Sequence, residues 1–419
     1  MATNSTNYTC PACGAPLTFS TKLQKLHCEY CESSFTPEEV EAYFAAKREM
    51  AEAKEEAKEQ AAAAAATDEA PADEASDGAV DDAANGAAER VAAANEGDTS
   101  SSNSARDAGY DPIQAYLDSK KPLAEDDEHA MAVECSSCGA TMIVSDVSAV
   151  THCPYCGNNA IVAGKLGGTL EPDLVIPFQK TKKDAVAALK EHYNGKICLP
   201  AAFKDANHIE EVQGVYVPFW LYSGQARGSA DYTCTDTRVW SDGDYNYTET
   251  SSFLVKRAGT CKFDKIPADA SKRMPNDHMD SIEPYDYSAF EPFSTAYLPG
   301  FAAERYDDSV QDCASRVKKR MEATLTDELR NTVTGHATTT LTSSDCSEGI
   351  EDVKYALLPV WMLHTRYNDQ DFLFAMNGQT GKLVGDLPTD RKKLNLISLA
   401  TFAAAFVVTF AGAAFFLLS

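Results

Sequence analysis

The sequence contains one cysteine pattern twice, and this repetition constrains the fold more than any other feature. Each copy reads Cys-x2-Cys, then fourteen residues, then Cys-x2-Cys, and the second copy begins 125 positions after the first. Two short knuckles with this spacing bring four thiolates to the corners of a tetrahedron about one zinc ion. The predicted zinc ligands are Cys10, Cys13, Cys28 and Cys31 in the first copy and Cys135, Cys138, Cys153 and Cys156 in the second.

The residues between the cysteines repeat at the same offset, which indicates two related zinc ribbons. The matched pairs include Gly14 with Gly139, Phe19 with Val144, His27 with His152, and Tyr30 with Tyr155. Each ribbon has about 25 residues, too few to bury a core that offsets its own chain entropy, and bound structural zinc supplies roughly 10–16 kcal/mol of folding energy. Four thiolates leave no open coordination position, so we expect two structural zinc ions and no zinc-catalysed hydrolysis. We expect the two histidines to be strand residues rather than ligands.

The charge of the chain argues against a nucleic-acid partner. The formal net charge is −26, and no Lys or Arg lies between Cys135 and Cys156. Proteins that grip phosphate backbones normally carry a basic face. Of the thirteen cysteines, eight have metal-binding spacing, which is typical of a reducing compartment such as the cytosol.

The segment between the ribbons predicts a helix followed by a linker. Thr36 and Glu39 have the spacing of a capping box, and an Ala-rich charged helix is expected over 37–66. Residues 67–108 contain eleven Asp or Glu against two Arg, and such a stretch cannot bury enough apolar surface to become ordered. We expect a disordered acidic linker that lets the first ribbon move away from the rest. Residues 109–130 predict a short amphipathic segment.

Residues 168–390 have the composition of an ordinary α+β domain. The pattern predicts strands at 174–178 and 214–223, helices at 182–193 and 307–330, and a strand, turn and strand over 372–384. The strand at 357–363 repeats the Pro-x-Trp spacing of the strand at 216–222, so the domain is a candidate for internal duplication. Because proline lacks an N–H, we expect both strands to enter the sheet at the proline and to bury the tryptophan.

No catalytic constellation is evident in this domain. The segment Gly378-Gln-Thr-Gly381-Lys382 lacks the glycine spacing of a phosphate loop, and Leu383 stands where Ser or Thr is needed. The sequence also lacks the metalloprotease, nucleophile-elbow and dinucleotide motifs. We therefore expect no enzyme activity, the alternative being an unrecognised site within 168–390.

The last part of the sequence predicts a membrane anchor. Arg391, Lys392 and Lys393 precede residues 396–418, which are apolar and uncharged. A helix of these 23 residues is roughly 34 Å long, enough to cross a hydrocarbon core of about 30 Å. The basic residues on its amino side place the folded part in the cytoplasm by the positive-inside rule. We therefore predict a tail-anchored, single-pass protein of the cell membrane.

Several of these motifs together resemble a group of bacterial membrane proteins that carry transcription-factor-IIB-type zinc ribbons. The shared motifs are the Cys-x2-Cys-Gly ribbon, Pro-Phe-Trp-Leu-Tyr at 218–222, Pro-Val-Trp at 359–361, Asn-Gly-Gln-Thr-Gly-Lys at 377–382 and the terminal apolar helix. Such proteins are often mislabelled as primosomal replication-restart helicases, although this chain has no nucleotide-binding motif. The resemblance implies a docking role for phage-shock-type or flotillin-like scaffold proteins in envelope stress. The extra ribbon and the acidic linker depart from the simpler pattern.

The sequence thus predicts an α+β protein with two zinc ribbons, a mainly antiparallel α+β domain and one transmembrane helix. We expect a membrane-anchored adaptor that recruits a cytoplasmic scaffold or stress-response protein. The alternatives are a membrane-bound protein that binds nucleic acid or the transcription machinery, and an enzyme. The predicted segments are ribbon 1 at 1–36, the helix at 37–66, the linker at 67–108, the amphipathic segment at 109–130, ribbon 2 at 131–163, the α+β domain at 168–390 and the transmembrane helix at 394–419.

Overall fold

The computed structural model describes residues 8–66, 110–123, 130–145, 152–159, 161–163, 169–201, 203, 211–368 and 370–418. The acidic linker predicted at 67–108 lies outside these residues. The chain forms two compact units, Met1–Val40 with Asp111–Ser419, and Glu41–Tyr110. The described part of the second unit is mostly the Ala-rich remainder of the first helix.

The described residues contain six α-helices and fourteen strands, a mixed α+β composition as the sequence predicts. The helices are α1 Pro37–Ala66, α2 Pro112–Ser119, α3 Lys182–Tyr193, α4 Asn276–Ile282, α5 Val310–Asn331 and α6 Arg391–Leu418. The strands before the long central ones are β1 Thr18–Ser20, β2 Lys25–His27, β3 Ser34–Phe35, β4 Met131–Cys135, β5 Thr141–Val144, β6 Ile161–Ala163 and β7 Leu174–Val175. The others are β8 Gln213–Asp242, β9 Tyr245–Asp269, β10 Glu291–Pro292, β11 Ala302–Glu304, β12 Thr338–Tyr367, β13 Gln370–Asn377 and β14 Leu383–Gly385.

Helix starts follow the capping signals in the sequence. Thr36 and Glu39 exchange the two hydrogen bonds of a capping box at the start of α1. Thr181 and Asp184 form the same arrangement at α3, which has the bounds that the sequence predicts. These side chains satisfy amides that have no partner within the helix.

The strands form two sheets. β1, β2 and β3 make a small antiparallel sheet within the first ribbon. The other eleven strands make one large sheet with the order β10-β7-β12-β8-β11-β5-β4-β6, to which β9, β13 and β14 add at the sides. Most pairs are antiparallel, but β7 runs parallel to β12 and β11 runs parallel to β8. The second ribbon is therefore continuous with the main sheet through β4, β5 and β6.

The two predicted Pro-Trp strands lie side by side at the centre of this sheet. Trp220 on β8 and Trp361 on β12 are both buried, as expected. The prolines do not begin their strands, however, because Pro218 lies inside β8 and Pro359 lies inside β12. On the side of β8 that faces away from β12, the neighbouring strand is β11 at Val215 and Tyr216 and β9 from Phe219 onward.

Pro359 occupies the corresponding position on β12. On the side of β12 that faces away from β8, the neighbouring strand is β7 at Ala356 and Leu357 and β13 from Val360 onward. A proline cannot donate to a ladder, and both prolines stand where one neighbour stops and the next starts. This switch between neighbours explains how a central strand tolerates proline without losing a cross-strand bond.

Beyond the centre of the sheet, β8, β9 and β12 continue as a long three-stranded arm. The strands predicted at 214–223 and 357–363 are parts of longer ones, since β8 and β12 each have 30 residues. Helix α5 packs its apolar side against one face of the arm, with Val317, Met321, Leu325 and Leu329 buried. The opposite face of the arm is polar and rich in Thr and Ser.

Side-chain hydrogen bonds fasten α5 and its preceding loop to β8. The Tyr232 hydroxyl donates to the carbonyl of Thr326 over 2.8 Å, and the Tyr222 hydroxyl donates to that of Val310 over 2.5 Å. The Trp220 indole N–H donates to the carbonyl of Asp308 over 3.0 Å. Buried aromatic side chains thus keep their polar ends bonded while their rings fill the core.

Among the described residues, α6 alone is long and apolar enough to cross a membrane. Asp390 caps its start by accepting from the amides of Lys392 and Lys393, and the amide of Asp390 donates to the carbonyl of Cys198. Large apolar side chains along the helix are exposed, among them Phe402 at 71% and Val408 at 72%. Its length and apolar surface are those of a helix that can span a membrane.

We predict that replacing Leu325 with Ala loosens the arm. Leu325 is 2% exposed against the arm, and removing a buried leucine side chain costs about 2–5 kcal/mol. Amide hydrogen exchange of residues 226–234 in the full chain should become faster. The exposed Glu328→Ala change on the same helix is the control, and equal exchange in the two variants would contradict the packing.

Candidate metal centres

The structure brings all eight predicted cysteines into two groups of four. Within each group the ligand sulfurs all lie within 4.8 Å of one another. In the first ribbon the distances are 3.5 Å from Cys10 to Cys31 and 3.5 Å from Cys13 to Cys28. In the second they are 3.7 Å from Cys135 to Cys156 and 3.6 Å from Cys138 to Cys153.

These distances fit a tetrahedral metal ion. An ion with metal–sulfur bonds of about 2.3 Å separates its sulfurs by about 3.8 Å, whereas a disulfide brings two sulfurs to about 2.05 Å. The cysteine groups are therefore arranged for coordination and not for oxidation to disulfides. The two groups contain only cysteine, and the ring of His27 lies against the Ser34 hydroxyl at 3.0 Å. His27 is in β2 as predicted, but His152 is in a bend and not in a strand.

All four knuckles have the same backbone geometry. The first cysteine of each knuckle donates its amide to the carbonyl five residues later, and its carbonyl accepts from the amide four residues later. The fourth residue after that cysteine has a positive φ in every knuckle, at Gly14, Glu32, Gly139 and Gly157. Glycine adopts this conformation without a steric penalty, so Glu32 is the one strained exception among the four.

Hydrogen bonds favour the thiolate at the edge of the first centre. The Ser33 hydroxyl lies 3.3 Å from the sulfur of Cys31, and bonds from Ser33 lower the pKa of this thiol to about 6. A thiolate is the form that binds metal. Of the two exposed thiols of this centre only Cys31 is shifted in this direction, since the pKa of Cys13 is raised.

The second centre is fixed to the main sheet by Arg273. Its guanidinium donates to the carbonyl oxygens of Cys138 and Gly139, each over 2.8 Å, and its Nε lies 3.2 Å from Asp307. Both carbonyls belong to the knuckle that supplies two ligands. The arginine thus holds this knuckle in place from outside the ribbon.

A buried carboxyl group lies beneath the other knuckle. Glu304 is fully buried and accepts from the hydroxyls of Tyr155 over 2.5 Å and Ser271 over 2.8 Å. Burial raises its pKa to about 7. Glu304 also pairs with Met142 through β11 and β5, so β11 is joined to the second ribbon by a strand ladder and by the side-chain bond from Tyr155.

The first ribbon also contacts the main body, contrary to the expectation that it moves freely. The amide of Phe19 donates to the carbonyl of Pro299 over 3.1 Å, and the Phe19 ring lies 5.4 Å from that of Tyr297. The Tyr8 and Thr295 hydroxyls are 2.7 Å apart, and the Gln24 side chain donates to the carbonyl of Phe178 over 2.8 Å. Apolar and polar contacts together dock the ribbon.

The two ribbons contact neighbouring parts of one segment, residues 295–304. Phe19 on β1 meets Pro299, and its repeat counterpart Val144 on β5 pairs with Ala302. The corresponding strand of each ribbon therefore meets the body at this segment. Sequence repetition alone does not predict that both copies share one docking segment.

The two ribbons differ in how much of their metal-binding knuckles the body covers. Tyr155 is 9% exposed, whereas its counterpart Tyr30 is 81% exposed. Cys13 and Cys31 are exposed, while the corresponding Cys138 and Cys156 are half-buried. The first ribbon therefore presents to solvent the surface that the second ribbon packs against Glu304.

The sequence identifies the ligands but not the residues that support them. Arg273 and Glu304 have no recognisable spacing relative to the cysteines, and the contacts join residues more than a hundred positions apart. The one available signal is the repeated tyrosine, Tyr30 and Tyr155, and it does not show which copy is buried.

Comparison with known proteins gives one informative relative. The chain is similar to a Bacillus subtilis (strain 168) protein named "Uncharacterized protein YdjG", with 34% identity over 235 residues. The match covers 56% of this chain and 69% of the relative. No family model matches the chain, and no solved structure matches it.

We predict that the full-length protein carries two metal ions and that each ribbon holds one. A chain with Cys135→Ser and Cys138→Ser should retain one ion, because two of the four ligands of one centre are removed. The corresponding Cys10→Ser and Cys13→Ser chain is the matched variant. Elemental analysis of purified protein checks this, and a content of one ion in the unmodified chain would contradict two independent centres.

We predict that Gly157→Ala weakens the second centre more than Gly139→Ala. Both glycines have left-handed backbone, which costs an alanine about 1–2 kcal/mol. A Cβ at Gly157 would also lie 2.9 Å from Nδ1 of His364, whereas one at Gly139 would meet nothing within 4 Å. The rate of metal transfer to a chromogenic chelator measures the difference, and equal rates would show that contact with His364 is unimportant.

Proposed function

This chain belongs to the family of the Bacillus subtilis protein YdjG, and we propose that it is a membrane-anchored zinc-ribbon adaptor that recruits a cytoplasmic partner to the bilayer. The proposed role requires no catalysis. It rests on three features: closed metal centres, an apolar helix and an exposed ribbon surface.

The metal in both centres is zinc with a structural role. Four thiolates at tetrahedral spacing suit zinc and fill its coordination sphere. Each ribbon is too small to fold on its own core, so the bound ion stabilises it. Thiols remain available for zinc in a reducing compartment, in agreement with a cytoplasmic location.

Helix α6 is the membrane anchor. Its large side chains are exposed along the helix, and the three basic residues Arg391, Lys392 and Lys393 stand at its amino end. By the positive-inside rule these residues remain in the cytoplasm together with both ribbons and the sheet. The bonds of Asp390 and Lys393 to the carbonyls of Cys198 and Leu199 join the turn after α3 to the start of the helix.

The partner binds the exposed knuckle of the first ribbon, and this surface carries the proposal. Tyr30 is 81% exposed where its counterpart Tyr155 is covered by the body. Exposed tyrosine is typical of the residues that supply most of the binding energy at protein interfaces. The protein therefore uses one ribbon to build its body and the other to bind a partner.

A cytoplasmic scaffold protein of the envelope-stress response is the proposed partner. This assignment follows the resemblance of the ribbon, the Pro-Trp strands and the apolar helix to docking proteins of such systems. The net charge of −26 disfavours the alternative, a nucleic-acid partner.

The α+β body arose by internal duplication. A short strand, a helix, a long strand and a hairpin partner occur first as β7, α3, β8 and β9 and again as β11, α5, β12 and β13. Each short strand pairs in parallel with the long strand of the other half. The corresponding positions of Pro218 and Pro359 support the same origin.

Crosslinking and affinity capture from membranes tests the adaptor. We predict that Tyr30→Ala lowers capture of the partner by about tenfold or more, because a central exposed aromatic is removed. Metal content should remain at two ions, since Tyr30 is not a ligand. Tyr110→Ala is the control because Tyr110 is also exposed, at 72%, and lies outside the ribbons.

The same experiment separates the alternatives. Equal capture by both tyrosine variants would contradict the proposed surface, and recovery of nucleic acid in place of a protein would contradict the partner class. A chain that ends at Asp390 should move to the soluble fraction, and its continued membrane association would contradict the role of α6.

A further inference from the structure

The two outer edges of the arm have no strand partner among the described residues. β9 pairs only with β8, and the outer side of β12 is paired only from Ala356 onward. The stretches of β9 and β12 with an unpaired outer side are both paired, on their inner side, with residues 225–235 of β8. Ser252 on β9 and Thr338 on β12 both pair with Thr235, and Lys262 and Gly349 both pair with Gln225.

The two edges carry opposite charges. Between residues 252 and 263, β9 contains Lys256, Arg257 and Lys262 and no acidic residue. Between residues 338 and 352, β12 contains the acidic residues Asp345, Glu348, Glu351 and Asp352 and no basic residue. An unpaired edge strand presents alternate N–H and C=O groups that can bond to another strand. The arm therefore has one basic and one acidic edge, each with free ladder positions.

The charged residues also stand at matching heights along the arm. Lys262 pairs with Gln225, whose side-chain amide donates to Glu351 over 2.9 Å, so Lys262 and Glu351 lie on the same face at nearly the same height, on opposite sides of β8. Asp345 pairs with Ser229 and lies two rungs from Lys256, which pairs with Asp231. If a second copy lies beside the first in the plane of the sheet, the acidic residues on its β12 therefore lie next to the basic residues on β9 of the first copy.

We propose that the arm binds a second copy of this chain, with the β12 edge of one copy pairing with the β9 edge of the next. β9 and β12 both run antiparallel to β8, so they run parallel to each other and the new ladder is a parallel one. Like edges repel and unlike edges attract, so this pairing is head to tail and leaves a free edge at each end.

Adjacent strands of a sheet are rotated by roughly 20–25°, so the three strands of the arm turn the next copy by about 60–75° relative to the first. Copies anchored by α6 in one membrane are held at a high local concentration, which favours this pairing. This part of the inference rests on the proposed anchor. The pairing of the edges does not, and it can be measured for the full chain in detergent as well as in vesicles.

Charge reversal on one edge at a time provides the test. One full-length variant carries Lys256→Glu and Lys262→Glu, and the other carries Asp345→Lys and Glu351→Lys. All four side chains are exposed. In the first variant both edges have a net negative charge, and in the second the charges of the β12 edge sum to zero, so neither variant alone keeps the attraction between unlike edges. Self-association measured by sedimentation velocity in detergent should weaken by about tenfold or more in each.

A mixture of the two variants should associate again. One partner then supplies a native acidic β12 edge and the other supplies a native basic β9 edge. A zero-length carbodiimide crosslink between Lys262 and Glu351 in mixed vesicles can only join different chains, because neither variant contains both residues. Its presence, and its weakening at high salt, are the expected results.

Matched reversals on the exposed side of α5 are the controls. Lys318→Glu with Lys319→Glu, and Asp327→Lys with Glu328→Lys, change the net charge by the same amounts away from both edges. These chains should associate like the unmodified protein. Monomeric behaviour of the unmodified chain, equal weakening by the controls, or a mixture without the Lys262–Glu351 crosslink would each overturn the proposal.

Discussion

The antiparallel pairing of β8 with β12 is the interaction on which the rest of the main unit depends. The ladder extends from Thr338 to Met362, and nearly every other element attaches to one of its two strands. At its centre the strands bury Trp220 and Trp361 and bind the short strands β7 and β11. Toward one end they form the arm, and at the other β11 joins them to the second ribbon. Because the ladder joins residues far apart in the sequence, it forms late in folding, and its bonds stabilise the two strands cooperatively.

The metal centres were predictable to the residue because their chemistry is local. A Cys-x2-Cys knuckle is fixed by backbone bonds within six residues, so spacing alone identifies the ligands. The bounds of α3 were predictable for a similar reason, since Thr181 and Asp184 cap it within one turn. The features that escaped prediction depend on residues far apart in the chain, such as Arg273 with Cys138 and Tyr155 with Glu304.

The strands predicted at 214–223 and 357–363 were too short for a different reason. The buried face of the arm on β8 consists of Ala226, Ala230 and Cys234 around Tyr232, and such small side chains give a weak alternating signal. They are small because α5 packs close to the sheet at this point. The prediction that both strands enter the sheet at the proline was wrong, because a strand can contain proline where its neighbours change.

Residues 295–304 contact one ribbon through Pro299 and the other through Ala302. Any free energy that one bound ion contributes by ordering this segment is shared with the other centre. Thermodynamic linkage then requires the effect to be reciprocal: if filling the first ribbon tightens the second centre by some factor, filling the second tightens the first by the same factor. The pair would respond to available metal as a coupled unit, with a sharper dependence on ion concentration than two separate ribbons have.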